Sequence, residues 1–441
     1  MDKGESMFTT YDEALEWIHT RKGMGPKPGI KRMEWLMEKL DHPEEKFSSI
    51  HIAGTNGKGS TVAYLTALFQ SAGHSVGSFT SPHITRFNER IMVNGEQISD
   101  EAIIALANII YPLYMEISET EWGPLTEFEV VTAMMFLHFS KVRPDVVLLE
   151  VGLGGLFDST NIAKPQLTMI TTIGMDHVQI LGNTIEEIAF QKAGIIKSEI
   201  PLVIGNIQEP ARTVILDIAR EKNSAVLAYN TDFSAQNKPN VTDLHEHFDF
   251  SAQEFQLADI EISLMGHHQI ENAATALQAF LLYCNAEQLA YTKESILTGF
   301  DQAFWPVRME IISQEPLIIL DGAHNEPAMA VLLDTLQTNF KNKKIKVVFA
   351  ALTTKELEAI GPWLMRIPNH EIHLTTFDFP RVATLTDLKE RLGVEDAAYH
   401  EDWQELIREL TVSVSNDELL LITGSLYFLS EVRHYLMEDE R

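Results

Sequence analysis

The sequence predicts an α/β protein of two domains, each a doubly wound and largely parallel sheet, the second smaller than the first. Three observations carry that prediction. At 441 residues the chain exceeds what one ordinary core holds. Short apolar runs of strand composition alternate with helical patterns, which is how a parallel sheet covered on both faces is written in sequence. Near "FDQAFWPVRME" the alternation starts afresh, giving domains 1–303 and 304–441.

The elements follow in order. "YDEALEWIHT" and "RMEWLMEKL" are helical in pattern and separated by the loop "RKGMGPKPGIK". "FSSIHIAG" is a short apolar strand, and "STVAYLTALFQSAGH" repeats apolar residues at Val62, Leu65, Leu68 and Phe69 before stopping at Gly73. Further strands are legible at "SVGSFTS", "DVVLLEVG", "LTMITTIG" and "PLVIG". The polar stretch from Asn230 to Glu261 breaks the pattern and reads as irregular or antiparallel, and "IENAATALQAFLLYC" returns to helix. Beyond the boundary, "EPLIILDG", "KIKVVFAAL", "EIHLTTFDF" and "ELLLITGS" supply the strands of a Rossmann-like sheet.

Composition narrows the function. With 45% apolar and 22% charged residues the chain has the make-up of a globular protein, and a net charge of −29 argues against nonspecific nucleic-acid binding. No apolar run is expected to reach membrane-spanning length, and "MDKGESMFTTYDEALEW" lacks a signal-peptide core, so a cytoplasmic location without a membrane partner is expected. The single cysteine, Cys284, follows Leu281, Leu282 and Tyr283 and reads as a small core residue. Because the overall field repels anions, any anionic substrate needs local cations.

"HIAGTNGKGST" supplies one. It lies between a strand and a helix, which makes the first sheet P-loop ATPase-type, yet Ile52 stands where a standard loop has its first Gly and Gly59 where it has the metal-binding hydroxyl. Gly54, Gly57 and Gly59 let the backbone approach phosphate, Lys58 adds a point charge, and a helix beginning near Ser60 directs free amides at an anion. Oxygen ligands for Mg²⁺ must then come from elsewhere, and Ser81 of "FTSP" and Glu150 of "VVLLEVGLGG" stand at strand ends of the same sheet. His177 of "TIGMDHVQILG" reads equally as a ligand or a packed or surface residue, and Lys192 of "FQKAGIIK" reads from its pattern as a helix-surface lysine. In the second half "DGAHNEPAM" places Asp321, His324 and Asn325 in a strand-to-helix turn with Pro327 in the first helical turn, and Arg308 of "WPVRME" lies just past the boundary.

"HIAGTNGKGST", "TSPHITRFNERI", "EVGLGG.FDSTN" with Leu156 at the dot, "DHVQILG", "QKAGIIK", "GHHQIENAATAL", "WPVRME", "DGAHN" and "ITGSLY" stand in the order found in folylpolyglutamate synthase and dihydrofolate synthase of the Mur ligase superfamily. From about Gly29 to Tyr427 the chain resembles that family. The resemblance implies an ATP-dependent amide ligase that converts a carboxylate to an acyl phosphate, which the amine of L-glutamate attacks with release of phosphate and ADP. The carboxylate belongs to dihydropteroate or to the γ-carboxylate of a reduced folate polyglutamate. Catalysis of this kind is positioning and charge neutralisation.

The resemblance also implies roles. Thr55, Asn56, Gly57, Lys58, Gly59 and Ser60 match the ATP phosphate loop, Ser81 and Glu150 the ligands of one Mg²⁺, and His177 a ligand of a second. Lys192 matches a lysine that is carbamylated in the family. Asn272 matches the adenine contact, Arg308 a phosphate contact across a domain cleft, and Asp321 a ribose contact. His324 stands near the reacting phosphoryl group or the glutamate, and Ser425 belongs to the glutamate site. For the pteridine the family points to Gly29, Ile30, Lys31 and Arg32, to Thr126 and Phe128 of "LTEFE", and to Phe157.

Two departures stand out: Leu156 replaces a common Arg, and "TTKE" at 353–356 replaces a common Asp-Lys-Asp. A cell-wall peptide ligase of the same superfamily carries a UDP-binding domain before the glycine loop, for which about fifty residues are too few. A GTP-type switch protein uses an Asn-Lys-x-Asp box, and "NKPN" at 237–240 ends in Asn. A catalytically dead relative conflicts with the competent residues at every ATP and metal position. A monomer acting on small molecules, with one or both of the two ligations, is the expectation.

Overall fold

The computed structural model describes residues 7–21, 29–238, 244–353 and 357–438. Most of the loop after the first helix (22–28), Asn240 and its neighbours 239–243, and Lys355 with its neighbours 354–356 lie outside them. The chain divides into two compact units, one of residues 1–235, 250–258 and 271–303, the other of 236–249, 259–270 and 304–441.

The first unit is built on eight strands: β1 (Ser49–Ala53), β2 (Val76–Phe79), β3 (Ile91–Val93), β4 (Glu96–Gln97), β5 (Val146–Glu150), β6 (Leu167–Ile170), β7 (Leu202–Ile204) and β8 (Val226–Ala228). Their order is β4-β3-β2-β5-β1-β6-β7-β8, parallel except for β3 and β4, which add an antiparallel edge. The chain leaves β1 for β2 on one side and later passes β1 to reach β6 on the other. The carboxyl end of β1 is therefore a topological switch point, where ligands of such sheets bind.

Among the described residues ten α-helices accompany these strands: α1 (Tyr11–His19), α2 (Lys31–Lys39), α3 (Lys58–Ser71), α4 (Asp100–Ser118), α5 (Glu127–Val142), α6 (Val178–Leu181), α7 (Ile185–Ala193), α8 (Ala211–Glu221), α9 (His267–Glu287) and α10 (Lys293–Gln302). Alternation along the strands sorts their side chains by face. Phe79, Val147 and Leu149 join the core of α1, α2, α4 and α5, while Ile170, Leu202 and Ile204 join that of α7 and α8. Cys284, on α9, is fully buried as expected, and burial pushes its thiol up to about 12.

One sequence expectation fails here. By length and composition α4 is apolar enough to cross a membrane. Its acids, Asp100, Glu101 and Glu116, cluster at its ends, which leaves a long uncharged middle that strand-by-strand inspection passes over. Ile103, Leu106, Ala107, Ile110 and Ile117 from that helix are buried in the core shared with α5.

The polar stretch after β8 forms a three-stranded sheet of β9 (Phe233–Lys238), β10 (Glu246–Ala252) and β11 (Gln256–Ile262), in the order β11-β10-β9. Ala252 and Phe255 exchange both backbone hydrogen bonds, at 2.8 and 3.4 Å, which is the closure of an antiparallel hairpin.

The second unit carries β12 (Glu310–Gln314), β13 (Leu317–Asp321), β14 (Lys344–Ala350), β15 (His370–Thr375), β16 (Ala398–His400) and β17 (Glu418–Gly424) in the order β12-β13-β17-β14-β15-β16. Among the described strands of this sheet only β12 is antiparallel. Around it stand α11 (Glu326–Asn339), α12 (Leu357–Leu364), α13 (Leu385–Arg391), α14 (Trp403–Ser413) and α15 (Leu426–Glu438). Asn325 caps α11 by accepting from the Ala328 amide at 2.9 Å, and Pro327 occupies its first turn, as the sequence predicts.

Candidate active site

In the first unit the glycine loop follows β1, and α3 begins at Lys58, two residues earlier than the sequence suggests. Gly57 is its N-cap in the left-handed region, φ 83°. A Cβ there would lie 2.5 Å from the Asn272 Oδ1, so glycine is needed both for the turn and for the approach of α9. The amides of Lys58, Gly59 and Ser60 open the helix, where intrahelical acceptors are lacking and an anion is welcome. Gly54 packs against the Thr171 side chain with no room for a Cβ.

The loop is strapped to the segment after β6. Thr55 donates its amide to the Thr172 carbonyl at 2.8 Å, and the Asn56 amide donates to the Thr172 hydroxyl at 3.1 Å. The Thr171 and Thr172 hydroxyls both donate to the Asn56 carbonyl, at 2.6 and 3.0 Å. Sequence reasoning missed these two threonines, although "TT" directly after a strand in the same sheet was the available signal.

Two lysines meet at this loop. Lys58 Nζ donates to the Gly54 and Thr55 carbonyls at 2.9 and 3.1 Å, and Lys192 Nζ donates to the same Gly54 carbonyl at 2.9 Å. Lys192 is 3% exposed, so the helix-surface reading is overturned. Burial first, then the charge of Lys58, lowers its ammonium to about 7, against the opposing pull of Asp176 and Asp158.

Parallel pairing places the metal candidates. β5 lies beside β1 with Glu150 opposite Ile52, and β2 lies on its other side. Glu150 is 4% exposed, and its Oε2 accepts the Ser81 amide at 3.1 Å, so the two predicted ligands do come together. The contact seen is the backbone amide of Ser81 on the carboxylate; a carboxylate and a serine hydroxyl are both oxygen donors of the kind a hard cation such as Mg²⁺ takes. His177 is expected to serve a second ion rather than this one. It sits at φ 46° before α6, half exposed, with its Nε2 3.7 Å from Asp176. Among the described residues the one group of three His, Cys, Asp or Glu with ligand atoms within 4.8 Å of one another is His42, Glu44 and Glu45.

A buried relay supports the loop that carries Leu156 and Phe157. Asp158 accepts from the Leu153 amide, the Thr160 amide and the Thr160 hydroxyl at 2.9, 2.9 and 2.5 Å, and Thr160 bonds His51 Nε2 at 2.8 Å. Burial raises Asp158 and drops His51 to about 3. The "FDSTN" string was visible, but these roles were not.

The pteridine candidates divide. A Cβ on Gly29 would lie 3.3 Å from the exposed Phe157 ring, and one on Gly152 would lie 2.5 Å from Phe128, so each ring rests on a glycine. Thr126 is the N-cap of α5, its hydroxyl accepting from the Glu129 amide at 3.2 Å. Arg32 is 7% exposed and donates to Glu129 at 2.9 Å and to the Trp122 carbonyl at 3.1 Å. Ile30 precedes α2 and Lys31 starts it.

In the second unit Asp321 ends β13, 8% exposed, and accepts the Met309 and Ala323 amides, both at 3.0 Å. Burial raises its carboxyl, opposed by Arg308. His324 is exposed and its Nδ1 lies 2.7 Å from the Gly322 carbonyl. Ser425 follows β17, 6% exposed, and donates its amide to the Ala350 carbonyl at 2.9 Å.

Comparison with known proteins accords with this layout. The Mur ligase middle domain model matches residues 52–280, and the Mur ligase glutamate ligase domain model matches 307–426. The chain is 44% identical to the dihydrofolate synthase/folylpolyglutamate synthase of Bacillus subtilis (strain 168), over 98% of this chain and 100% of that one. A solved FPGS–AMPPCP–folate complex is 32% identical with a TM-score of 0.84, covering 97% of this chain and 100% of that one. The Mycobacterium tuberculosis folylpolyglutamate synthase complexed with ADP is 27% identical with a TM-score of 0.87, covering 97% and 98%. The chain thus belongs to the dihydrofolate synthase/folylpolyglutamate synthase family of Mur ligases.

Proposed function

We propose that this protein is an ATP-dependent ligase that joins L-glutamate to dihydropteroate, to the γ-carboxylate of reduced folate polyglutamates, or to both. The observation that carries the proposal is the 44% identity over nearly the whole of both chains to an enzyme named for both ligations. ATP phosphorylates the acceptor carboxylate, giving an acyl phosphate and ADP. The glutamate amine then forms the amide bond, losing a proton as phosphate leaves.

The residues divide that work between them. The loop 55–60 holds the nucleotide phosphates by backbone amides, with Lys58 swinging from its carbonyl partners to the β and γ phosphates, and Asn272 meets the adenine. Arg308 adds a second phosphate cation and Asp321 a ribose contact. Ser81 and Glu150 would hold a Mg²⁺ ion, whose chemistry there would be charge neutralisation at the transferring phosphoryl group. His177 would contribute a ligand to a second Mg²⁺.

Lys192 is proposed as the carbamylated lysine. A value of about 7 leaves a large neutral fraction at physiological pH, and the neutral amine is the form that adds CO₂, forming an N–C bond and releasing one proton. Phe128 and Phe157 offer ring faces to the pteridine, while Arg32 and Thr126 hold the helices beneath them. His324 and Ser425 are assigned to the glutamate end. Domains 1–303 and 304–441 are proposed as the ATP- and folate-binding part and the glutamate-ligase part, in a cytoplasmic monomer.

ADP release with ATP, Mg²⁺ and glutamate, comparing dihydropteroate with tetrahydrofolate as acceptor, tests the function. Turnover with one acceptor alone makes the enzyme monofunctional. Turnover with neither refutes the proposal.

A further inference from the structure

Arg308 sits in a turn that the backbone does not adopt willingly. Its neighbours Val307 and Met309 both lie in the left-handed region, at φ 52° and 46°, where a β-branched residue such as valine is a conformational outlier. Both are buried, at 0% and 5% exposure, so solvent does not satisfy their amides. Each N–H is taken by a carboxylate: Val307 donates to Glu310 Oε2 at 2.8 Å and Met309 to Asp321 Oδ2 at 3.0 Å. The Val307 carbonyl in turn accepts the Gly322 amide at 2.8 Å. The turn leads directly into β12 and lies alongside the end of β13.

Glu310 is itself held from behind. Arg433, on α15, donates its Nε to both carboxylate oxygens of Glu310 at 2.9 and 3.1 Å, within a pair whose side chains are 20% and 5% exposed. The other end of the device is Gly322, whose missing side chain is what admits the Arg308 guanidinium, since a Cβ there would collide with Nη1. A carboxylate, an arginine and a glycine thus converge on the orientation of one side chain.

We propose that the Glu310–Arg433 ion pair is a positioning device for Arg308, fixing the strained Val307–Met309 turn so that the guanidinium lies over Gly322 and is presented in one orientation. This rests on the assignment of Arg308 to the nucleotide phosphates. Neither Glu310 nor Arg433 touches the nucleotide in this scheme; each acts through the turn. A bidentate phosphate contact depends steeply on guanidinium orientation, so loosening the turn weakens ATP more than glutamate.

The test uses the full chain in the ADP-release assay, with KM for ATP and for glutamate measured separately. Arg433→Gln, Glu310→Gln and Gly322→Ala are made alone and in an Arg308→Ala background, with thermal melts to show folding. The expected result is an increase of about tenfold in KM for ATP from each single change, little change for glutamate, and less than about twofold further effect once Arg308 is absent. If the effects are as large in the Arg308→Ala background, or if folded variants keep their KM for ATP, the positioning role is overturned. Should Arg433→Gln fail to fold, Arg433→Lys, which keeps the charge and loses the planar donor, takes its place under the same criteria. Unchanged ATP kinetics in Arg308→Ala would instead sink the phosphate assignment, and the positioning role with it.

Discussion

Replacing Lys192 with methionine separates what the buried amine costs the fold from what it gives the chemistry. The side chain keeps its length and loses its charge. In the folded protein the ammonium is lowered from 10.5 to about 7, mainly by burial. At ~1.4 kcal/mol for each pH unit, that displacement sets an upper bound of ~5 kcal/mol on the cost of burying the charge. The sign follows from proton counting. Between pH 7 and 10.5 the unfolded chain binds the proton that the folded chain has shed, so wild-type stability rises with pH across that window. Below pH 7 both states are charged and the whole cost is present; above 10.5 it is gone. Lys192→Met loses the 2.9 Å bond to Gly54, a net ~1.5–3 kcal/mol for a charged donor. In protein stripped of bicarbonate, where the amine is uncarbamylated, the variant should therefore be more stable than wild type by up to ~2–3.5 kcal/mol near pH 6.5, with the advantage shrinking through pH 9, while ligation is lost. Urea unfolding at pH 6.5, 8 and 9 measures this. An advantage that does not change with pH, or a variant less stable at every pH, would refute a free buried amine; the latter is what a native carbamate would give.

Further outcomes follow from the same geometry. Lys58→Ala and Glu150→Ala should each abolish ADP release while leaving the far-ultraviolet circular dichroism spectrum unchanged, and near-normal turnover in either would overturn the phosphate and metal assignments. Gly57→Ala forces a side chain into a left-handed position and 2.5 Å from Asn272, so nucleotide binding, read by calorimetry with ADP, should fall and stability drop by ~1–3 kcal/mol. Gly152→Ala pushes on the Phe128 ring, and a selective rise in acceptor KM with ATP KM unaltered is expected. Equal rises in both would show that the glycine serves the phosphate loop instead.

The parts of the site that lie close to a strand end were legible in the sequence. A strand, a glycine loop with Lys58 and a helix are consecutive, and Ser81 and Glu150 announce themselves as oxygen donors at the ends of apolar runs. Lys192 was not legible from its own helix, because the carbonyl that receives it lies 138 residues away and helical periodicity alone assigns it to solvent. Thr126 shows the opposite case, since "TEFE" is a capping box readable on sight, and its place among the pteridine candidates came from the family resemblance alone. In the fold, most parallel strands were found, while the three-residue parallel strands β8 and β16 and the antiparallel edges β3, β4 and β12 were not. Two- and three-residue strands leave too little alternation to detect, and β12 hides in polar "EIISQ". Glu310 stood inside a quoted motif without a role, because its task is to hold a backbone rather than a ligand.

Lys58 and Lys192 converge on one carbonyl oxygen, and this bears on which anions the loop admits. Lys58 rests on neutral acceptors of its own loop, so an incoming anion has to outcompete bonds already made. Chloride or a lone carboxylate offers little more than the carbonyls do, whereas a triphosphate offers several charged oxygens together. With Lys58 in its proposed phosphate role, the resting lysine would act as a threshold on charge density, by which a strongly acidic protein would pass over ordinary anions while still responding to a nucleotide.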